Sequence, residues 1–232
     1  MSYQAVCNHI SGDGEGTYEM SQGRLAQFTR LDINRGICQG LVINWLKSIK
    51  EWKDYWAEEK KVSEEKGLLS DHKKIQTGKV AQLIYESENE SRSKMDNGTL
   101  SQLKESGLAF KEGESLKSPN QGFADDRYSI AEQVLATNSR YFLLSIGGTQ
   151  IKKKKNELIG KKVNIGHAIG IYRSFALFGK SDIVYVFDPN VGEFKVTGKK
   201  GIVKVLNGLN SIVYSRSENK TLNLNYYLWS FS

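Results

Sequence analysis

Cysteine is scarce in this chain. Cys7 and Cys38 are the only two among 232 residues, too few for a disulfide framework, and both are expected to stay thiols in a reducing compartment. Histidine is nearly as scarce, with only His9, His72 and His167. Three histidines and two cysteines give no zinc-ligand spacing. Cys7-Asn-His9 sits in a flexible tail without a scaffold for a metal, and His72 lies among charges, where exposure is expected. No phosphate loop and no dinucleotide fingerprint occurs, so neither a cofactor nor a metal is expected. No run approaches the roughly 18 to 20 apolar residues of a membrane span. The N-terminus has no Lys or Arg before Arg24 and no long apolar segment, so no secretory signal peptide is expected.

What is present is an ordinary globular composition, 39% hydrophobic and 25% charged, with a length that can bury a substantial core. The net charge of +7 is uneven: Gln150–Val205 holds twelve Lys or Arg against four acids, +8 in all, which leaves about −1 for the rest. A basic stretch of this kind suits contact with an anionic membrane leaflet or an acidic partner. The plainer reading is a solvated, lysine-protected sheet edge. Nucleic-acid binding is not expected.

Residues 1–30 are rich in Gly, Ser and Gln, with Gly12-Asp-Gly-Glu-Gly16 as a flexible cluster, and read as a mobile lead-in to a domain over 31–232. From Cys38 the pattern changes. Leu41, Trp45, Ile49, Trp52 and Trp56 recur at helical spacing, and core packing accounts for these tryptophans. A second helix is expected after Ser70-Asp71, a turn at Asn97-Gly98, a short helix around Leu100–Glu105 and an irregular loop from Lys111 to Asp126. Ser129-Ile-Ala-Glu132 has the form of a capping box opening a helix. Beyond Arg140 strands are expected at Tyr141–Ile146, Val163–Tyr172, Ile183–Asp188, Glu193–Val196 and Leu222–Trp229, with a helix from Gly201 to about Leu209. A helical first half followed by a mostly antiparallel second half is an α+β pattern.

Chemistry enters at Cys38, placed where a loop becomes the Trp45 helix. Unpaired N–H groups and the helix dipole at such a point favour a thiolate. A lone cysteine beside apolar residues is ordinarily a small buried hydrophobe, a histidine in an apolar strand is ordinarily structural, and Asp188 before Pro189 is an ordinary turn initiator. Together they read differently. His167 follows Cys38 by 129 residues, and Asp188 follows His167 by 21. Nucleophile, base and orienting acid in that order suit a cysteine hydrolase with two facing halves. The backbone N–H of Cys38 and a nearby side-chain donor would form the oxyanion hole. Asn34 is the leading donor and Gln39 a weaker one, because Asp32 cannot donate when ionised.

Three segments carry a resemblance: Gly36-Ile-Cys38-Gln-Gly-Leu-Val-Ile-Asn-Trp45-Leu, then Gly166-His167-Ala168, then Phe187-Asp188-Pro-Asn190-Val-Gly192-Glu-Phe194. They resemble the YopT/AvrPphB family of bacterial type III effector cysteine proteases, a papain-like group. The resemblance implies a papain-like fold and gives Cys38, His167 and Asp188 the nucleophile, base and acid roles. It also implies delivery into a host cell without a conventional signal peptide, and action in the host cytosol or at the inner face of its membranes. The partner it implies is a host protein. YopT-like members cleave prenylated Rho-type GTPases, and AvrPphB-like members cut plant kinases and process themselves. With only 37 residues before Cys38, a long autoprocessed pro-region is not expected. An acyltransferase or transglutaminase-like enzyme could use the same triad, and a non-catalytic binding module could retain it as a relic.

Overall fold

Alternating apolar residues in the second half build a sheet whose two faces bury separate cores. The computed structural model describes residues 2–20, 38–53, 55–56, 103–104, 106–111, 116–118, 123, 125–152, 161–214, 220–221 and 226–232. Strands β1 (Gly14–Glu19), β2 (Leu116–Ser118), β3 (Tyr141–Lys152), β4 (Lys161–Arg173), β5 (Ile183–Asp188), β6 (Gly192–Thr197), β7 (Lys220–Thr221) and β8 (Tyr226–Phe231) form one sheet. Its order is β1-β6-β5-β4-β3-β8-β2, with β7 pairing β3. All of these pairings are antiparallel. The class is α+β.

Period-two alternation decides which face each residue serves. Phe142, Leu144, Ile169, Ile171, Val184 and Val186 point to one core. That core is closed by helices α1 (Ser2–Ile10), α3 (Arg127–Ala136) and α4 (Gly198–Gly208). Leu143, Ala168, Phe187, Trp229 and Phe231 point to the other, against helix α2 (Cys38–Lys50). Leu41, Val42, Trp45 and Leu46 form the buried stripe of α2, each worth about 2 kcal/mol of transfer free energy. Gly170 makes the approach of α2 to β4 feasible: a Cβ there would meet the Trp45 ring at 2.8 Å.

The flexible lead-in expected over residues 1–30 is not what its described part does. Ser2–Ile10 is helical, and Gly14–Glu19 is an edge strand on β6. Gly12 does supply a left-handed turn position (φ +83°) in open space, but the other two glycines of the cluster serve close approach. A Cβ on Gly14 would lie 2.6 Å from Val196, and one on Gly16 would lie 2.5 Å from the Cys7 sulfur. Val6 and Ile10, four apart on one helical face, are fully buried and fix α1 to the core.

The helical stripe also ends earlier than its spacing suggests. Lys53 N–H bonds to Ser48 C=O (2.8 Å) and Trp52 N–H to Ile49 C=O (3.0 Å), the paired closure of a Schellman C-cap. Trp52 takes the left-handed position with φ 57° and is 83% exposed; it is not part of the buried stripe. Trp56 is buried, but in a turn after the helix. Helix α3 starts at Arg127, two residues before the expected capping box, and its N-cap Asp126 makes no side-chain cap bond. The Asp126 carboxylate instead accepts the Tyr226 hydroxyl. The helix expected from Gly201 begins at Gly198 and continues as a π-helical segment over Leu209–Tyr214. The helix expected after Ser70-Asp71 and the Asn97-Gly98 turn lie outside the described residues, as does most of the Lys111–Asp126 loop. Of the short helix expected at Leu100–Glu105, Leu103 and Lys104 are described, and both are helical.

Arg173, at the end of β4, closes the C-terminus of α3. Its buried guanidinium donates to the carbonyls of Val134 (3.0 Å), Leu135 (2.7 Å), Thr137 (2.7 Å) and Ser139 (3.0 Å). The first three are helix-end acceptors with no partner inside the helix, and the fourth belongs to the segment that follows it. Arg173→Ala is expected to lower the unfolding free energy by about 3 kcal/mol, because several buried carbonyls lose their donor at once. Urea denaturation of the two proteins side by side measures it.

Candidate active site

The site begins with the β5–β6 turn, where Asp188-Pro-Asn-Val-Gly-Glu-Phe194 folds residue by residue for a reason. Asp188 ends β5 fully buried. The Asn190 N–H donates to its Oδ1 at 2.8 Å, and Val191 N–H to its backbone carbonyl at 3.0 Å, an Asx-type turn. This leaves Oδ2 for a side-chain partner. Gly192 has φ +145°, and a Cβ there would come within 2.2 Å of the Tyr18 carbonyl oxygen; only glycine fits beside β1. Phe194 enters the core.

Glu193 is the residue that ties the turn to the cysteine helix. It is 7% exposed, and its Oε2 accepts the indole N–H of Trp45 (2.6 Å) and of Trp56 (2.8 Å). Its Oε1 accepts the Thr17 hydroxyl at 2.7 Å. Trp45 and Trp56, unlike the exposed Trp52, are core residues as expected, but their N–H groups also converge on one carboxylate from the strand after Asp188.

His167 lies on β4, 6% exposed, on the sheet face shared by Ile169 and Ile171. Its Nε2 is 3.1 Å from Asp188 Oδ2. The Tyr214 hydroxyl is 2.6 Å from the same nitrogen and donates to Asp188 Oδ2 at 2.5 Å. Asn190 Nδ2 is 3.5 Å from His167 Nδ1 and donates to the Tyr214 oxygen at 3.3 Å. Cys38, half-buried at the first position of α2, lies close enough to the imidazole and to the backbone of Ala168 for both to lower its thiol.

The electrostatics follow from these contacts. Burial pushes the Cys38 thiol up, but the hydrogen bond and charge of His167 outweigh it, and the thiol ends below its ordinary value. For His167 burial favours the neutral ring. The Asp188 carboxylate, by charge and by hydrogen bond, and then Cys38 override it and push the imidazole up to about 10. A lowered thiol beside a raised imidazole is the condition for a thiolate–imidazolium pair at neutral pH.

Cys38, His167 and Asp188 are thus brought together. Asn34 lies outside the described residues; Gln39 is buried in the first turn of α2. Tyr214 and Glu193 had no assigned role from the sequence. Glu193 belongs to the Asp-Pro-Asn-x-Gly-Glu-Phe segment, whose density of special residues is a signal. Tyr214 lies beyond the expected end of its helix, with no local pattern to mark it. Among the described residues no group of three or more His, Cys, Asp or Glu could hold a metal ion.

The profile of the peptidase C58 family, described as Yersinia/Haemophilus virulence surface antigen, matches residues 13–225. The chain belongs to this family. Its fold is similar to that of the Pseudomonas avirulence protein AvrPphB, with a TM-score of 0.57 at 18% identity, covering 87% of this chain and 95% of that one. The shared fold is papain-like; in this chain α2 lies on one face of the antiparallel sheet and α1, α3 and α4 on the other. No curated protein sequence gives a significant match. The match includes β1, so the strand taken from the expected lead-in falls within the family's span.

Two measurements test the geometry. Because the Cys38 thiol is held below its ordinary value, iodoacetamide should alkylate it readily at pH 6.5, where a free thiol of pKa about 8.5 is almost fully protonated. His167→Ala should slow that reaction tenfold or more and move its onset up in pH; mass spectrometry of the Cys38 peptide reads both. Glu193→Ala strands two buried indole N–H groups and should lower stability by about 3 kcal/mol in urea unfolding.

Proposed function

We propose that this member of the family is a cysteine endopeptidase acting on a host protein through Cys38, His167 and Asp188. The observation that carries the reading is that a histidine and an acid far from Cys38 in sequence meet it at one imidazole, with 3.1 Å between His167 Nε2 and Asp188 Oδ2. With Nε2 engaged by the carboxylate, Nδ1 is the nitrogen that exchanges a proton with Cys38. The Cys38 thiolate attacks the scissile carbonyl, and the new C–S bond pushes the carbonyl electrons onto oxygen. The His167 imidazolium gives its proton to the leaving amine as the C–N bond breaks, then takes one from the water that hydrolyses the thioester. Asp188 holds the ring and stabilises its cationic form. The oxyanion is met by the Cys38 backbone N–H at the start of α2, with Asn34 as the proposed side-chain donor.

For the partner we propose a host protein carrying a lipid anchor, of the Rho-type GTPase class, or a kinase, met in the host cytosol or at the inner membrane face after secretion. Charge supports membrane contact less than the composition suggests. Lys195, Lys199, Lys200 and Lys204 pair with Glu15, Glu132 and, for the last two, Asp13. Three carboxylates from outside the stretch thereby offset charge at four of its twelve basic residues.

Comparing protein N-termini in host cells that express wild type or Cys38→Ala tests the proposal. New N-termini that require Cys38 are expected. A substrate that stays intact but gains mass in a Cys38-dependent way would instead mean acyl transfer. A cellular phenotype unaffected by Cys38→Ala would mean a binding role and refute catalysis.

A further inference from the structure

Tyr214 is the buried titratable side chain at this centre that the mechanism above does not use. It is 5% exposed and lies at the end of the π-helical segment Leu209–Tyr214 that extends α4. A widened helical turn of this kind shifts the direction of the side chain that follows it, and such turns recur at functional sites. Here it sets the phenol against the imidazole, with ring centroids 5.0 Å apart.

Three contacts of the hydroxyl are fixed in direction. It donates its single proton to Asp188 Oδ2 at 2.5 Å, so its lone pairs face the other two neighbours. One neighbour is Asn190 Nδ2, a donor at 3.3 Å. The other is His167 Nε2 at 2.6 Å, which is closer than Asp188 Oδ2 at 3.1 Å. A nitrogen with a carboxylate and a phenol oxygen on its two sides can satisfy both only by carrying a proton. The titratable groups that face this imidazole are Asp188 from β5, Cys38 from α2 and Tyr214 itself. Burial, followed by the Asp188 charge, keeps the Tyr214 hydroxyl protonated far above the ordinary range, so it stays a fixed donor throughout the working range of a thiolate.

We propose that Tyr214 is a positioning residue for the base: its hydroxyl accepts the Nε2–H of His167 and passes that hydrogen bond on to Asp188. The carboxylate then acts on the ring both directly and through the phenol. The ring is held from two directions, which fixes its plane relative to Cys38. The imidazolium also gains a neutral acceptor at short range without a second negative charge that would oppose the Cys38 thiolate. This inference rests on the triad reading above.

Iodoacetate separates the two. As an anionic alkylating agent it reacts fastest with a thiolate beside an imidazolium, so its rate with Cys38 should rise as the thiol ionises and fall as His167 loses its proton. In Tyr214→Phe the Nε2–H keeps only its longer bond. The alkaline limb should move down by about half to one pH unit, so that on the alkaline side of both limbs the rate should fall about three- to tenfold. Incorporating 3,5-difluorotyrosine at 214 keeps ring and hydroxyl but weakens the oxygen as an acceptor. It should move the limb the same way by a smaller amount, and it provides the test should Tyr214→Phe fold poorly. A role in packing alone predicts an unmoved limb in both variants, and that result, or an upward shift, would overturn the proposal while leaving the triad intact. If the wild type shows no alkaline limb, or His167→Ala retains it, the triad reading fails and this inference falls with it.

Discussion

The geometry of the centre depends on one buried carboxylate. Glu193 accepts indole protons from Trp45 on the cysteine helix and from Trp56 beyond it, and a hydroxyl proton from Thr17 on the edge strand. Hydrogen bonds to an ionised acceptor are worth about 1.5–3 kcal/mol each, and in a dry site they are directional as well as strong. A helix packed on a sheet by apolar contacts alone can slide by a few tenths of an ångström at little cost. Two indole N–H groups fixed on one carboxylate resist that sliding. Glu193 sits five residues after Asp188 in the same hairpin, so the element that presents the acid to His167 also locks the helix that presents Cys38.

The hairpin has a second consequence for the proton chemistry. Its turn consumes one oxygen of Asp188 with the Asn190 N–H, which leaves the other to face His167 and Tyr214. Asp188 is fully buried, so its charge acts on the imidazole with little screening. That is why the ring holds its proton although burial alone would remove it. The same imidazole then lowers the thiol of Cys38 against the cost of burial. Each group's protonation is set by its neighbour, and the neighbours come from α2, β4, β5 and the end of α4.

Much of the fold was legible because it rests on local alternation. Strands β3 to β6 and the stripe Leu41–Trp45 follow from the spacing of apolar residues, whereas the strand expected over Leu222–Trp229 overlaps β8 (Tyr226–Phe231) only in part. The failures share a cause. The Gly12–Gly16 cluster reads as flexibility because sequence cannot distinguish a glycine needed for freedom from one needed for close approach. Trp52 fits the helical period, yet a Schellman closure stops the helix at the preceding turn, and tryptophan at that position gives no warning. Asp126 has the chemistry of an N-cap but spends its carboxylate on Tyr226, a partner a hundred residues away.

The site divides in the same way. By itself the sequence determined the chemical kind: a cysteine at a helix start, a strand histidine, and an aspartate in a turn whose residue types are individually constrained. Those are properties of short segments, set by backbone geometry and by the chemistry of each side chain. Only the tertiary structure decided that Tyr214 and Asn190 join the imidazole and that Glu193 holds Trp45 and Trp56. It also decided that Lys195, Lys199, Lys200 and Lys204 are paired with Asp13, Glu15 and Glu132. These are contacts between residues distant in the chain, and hydrogen bonds and charge pairs of that kind leave no periodicity for a sequence to display.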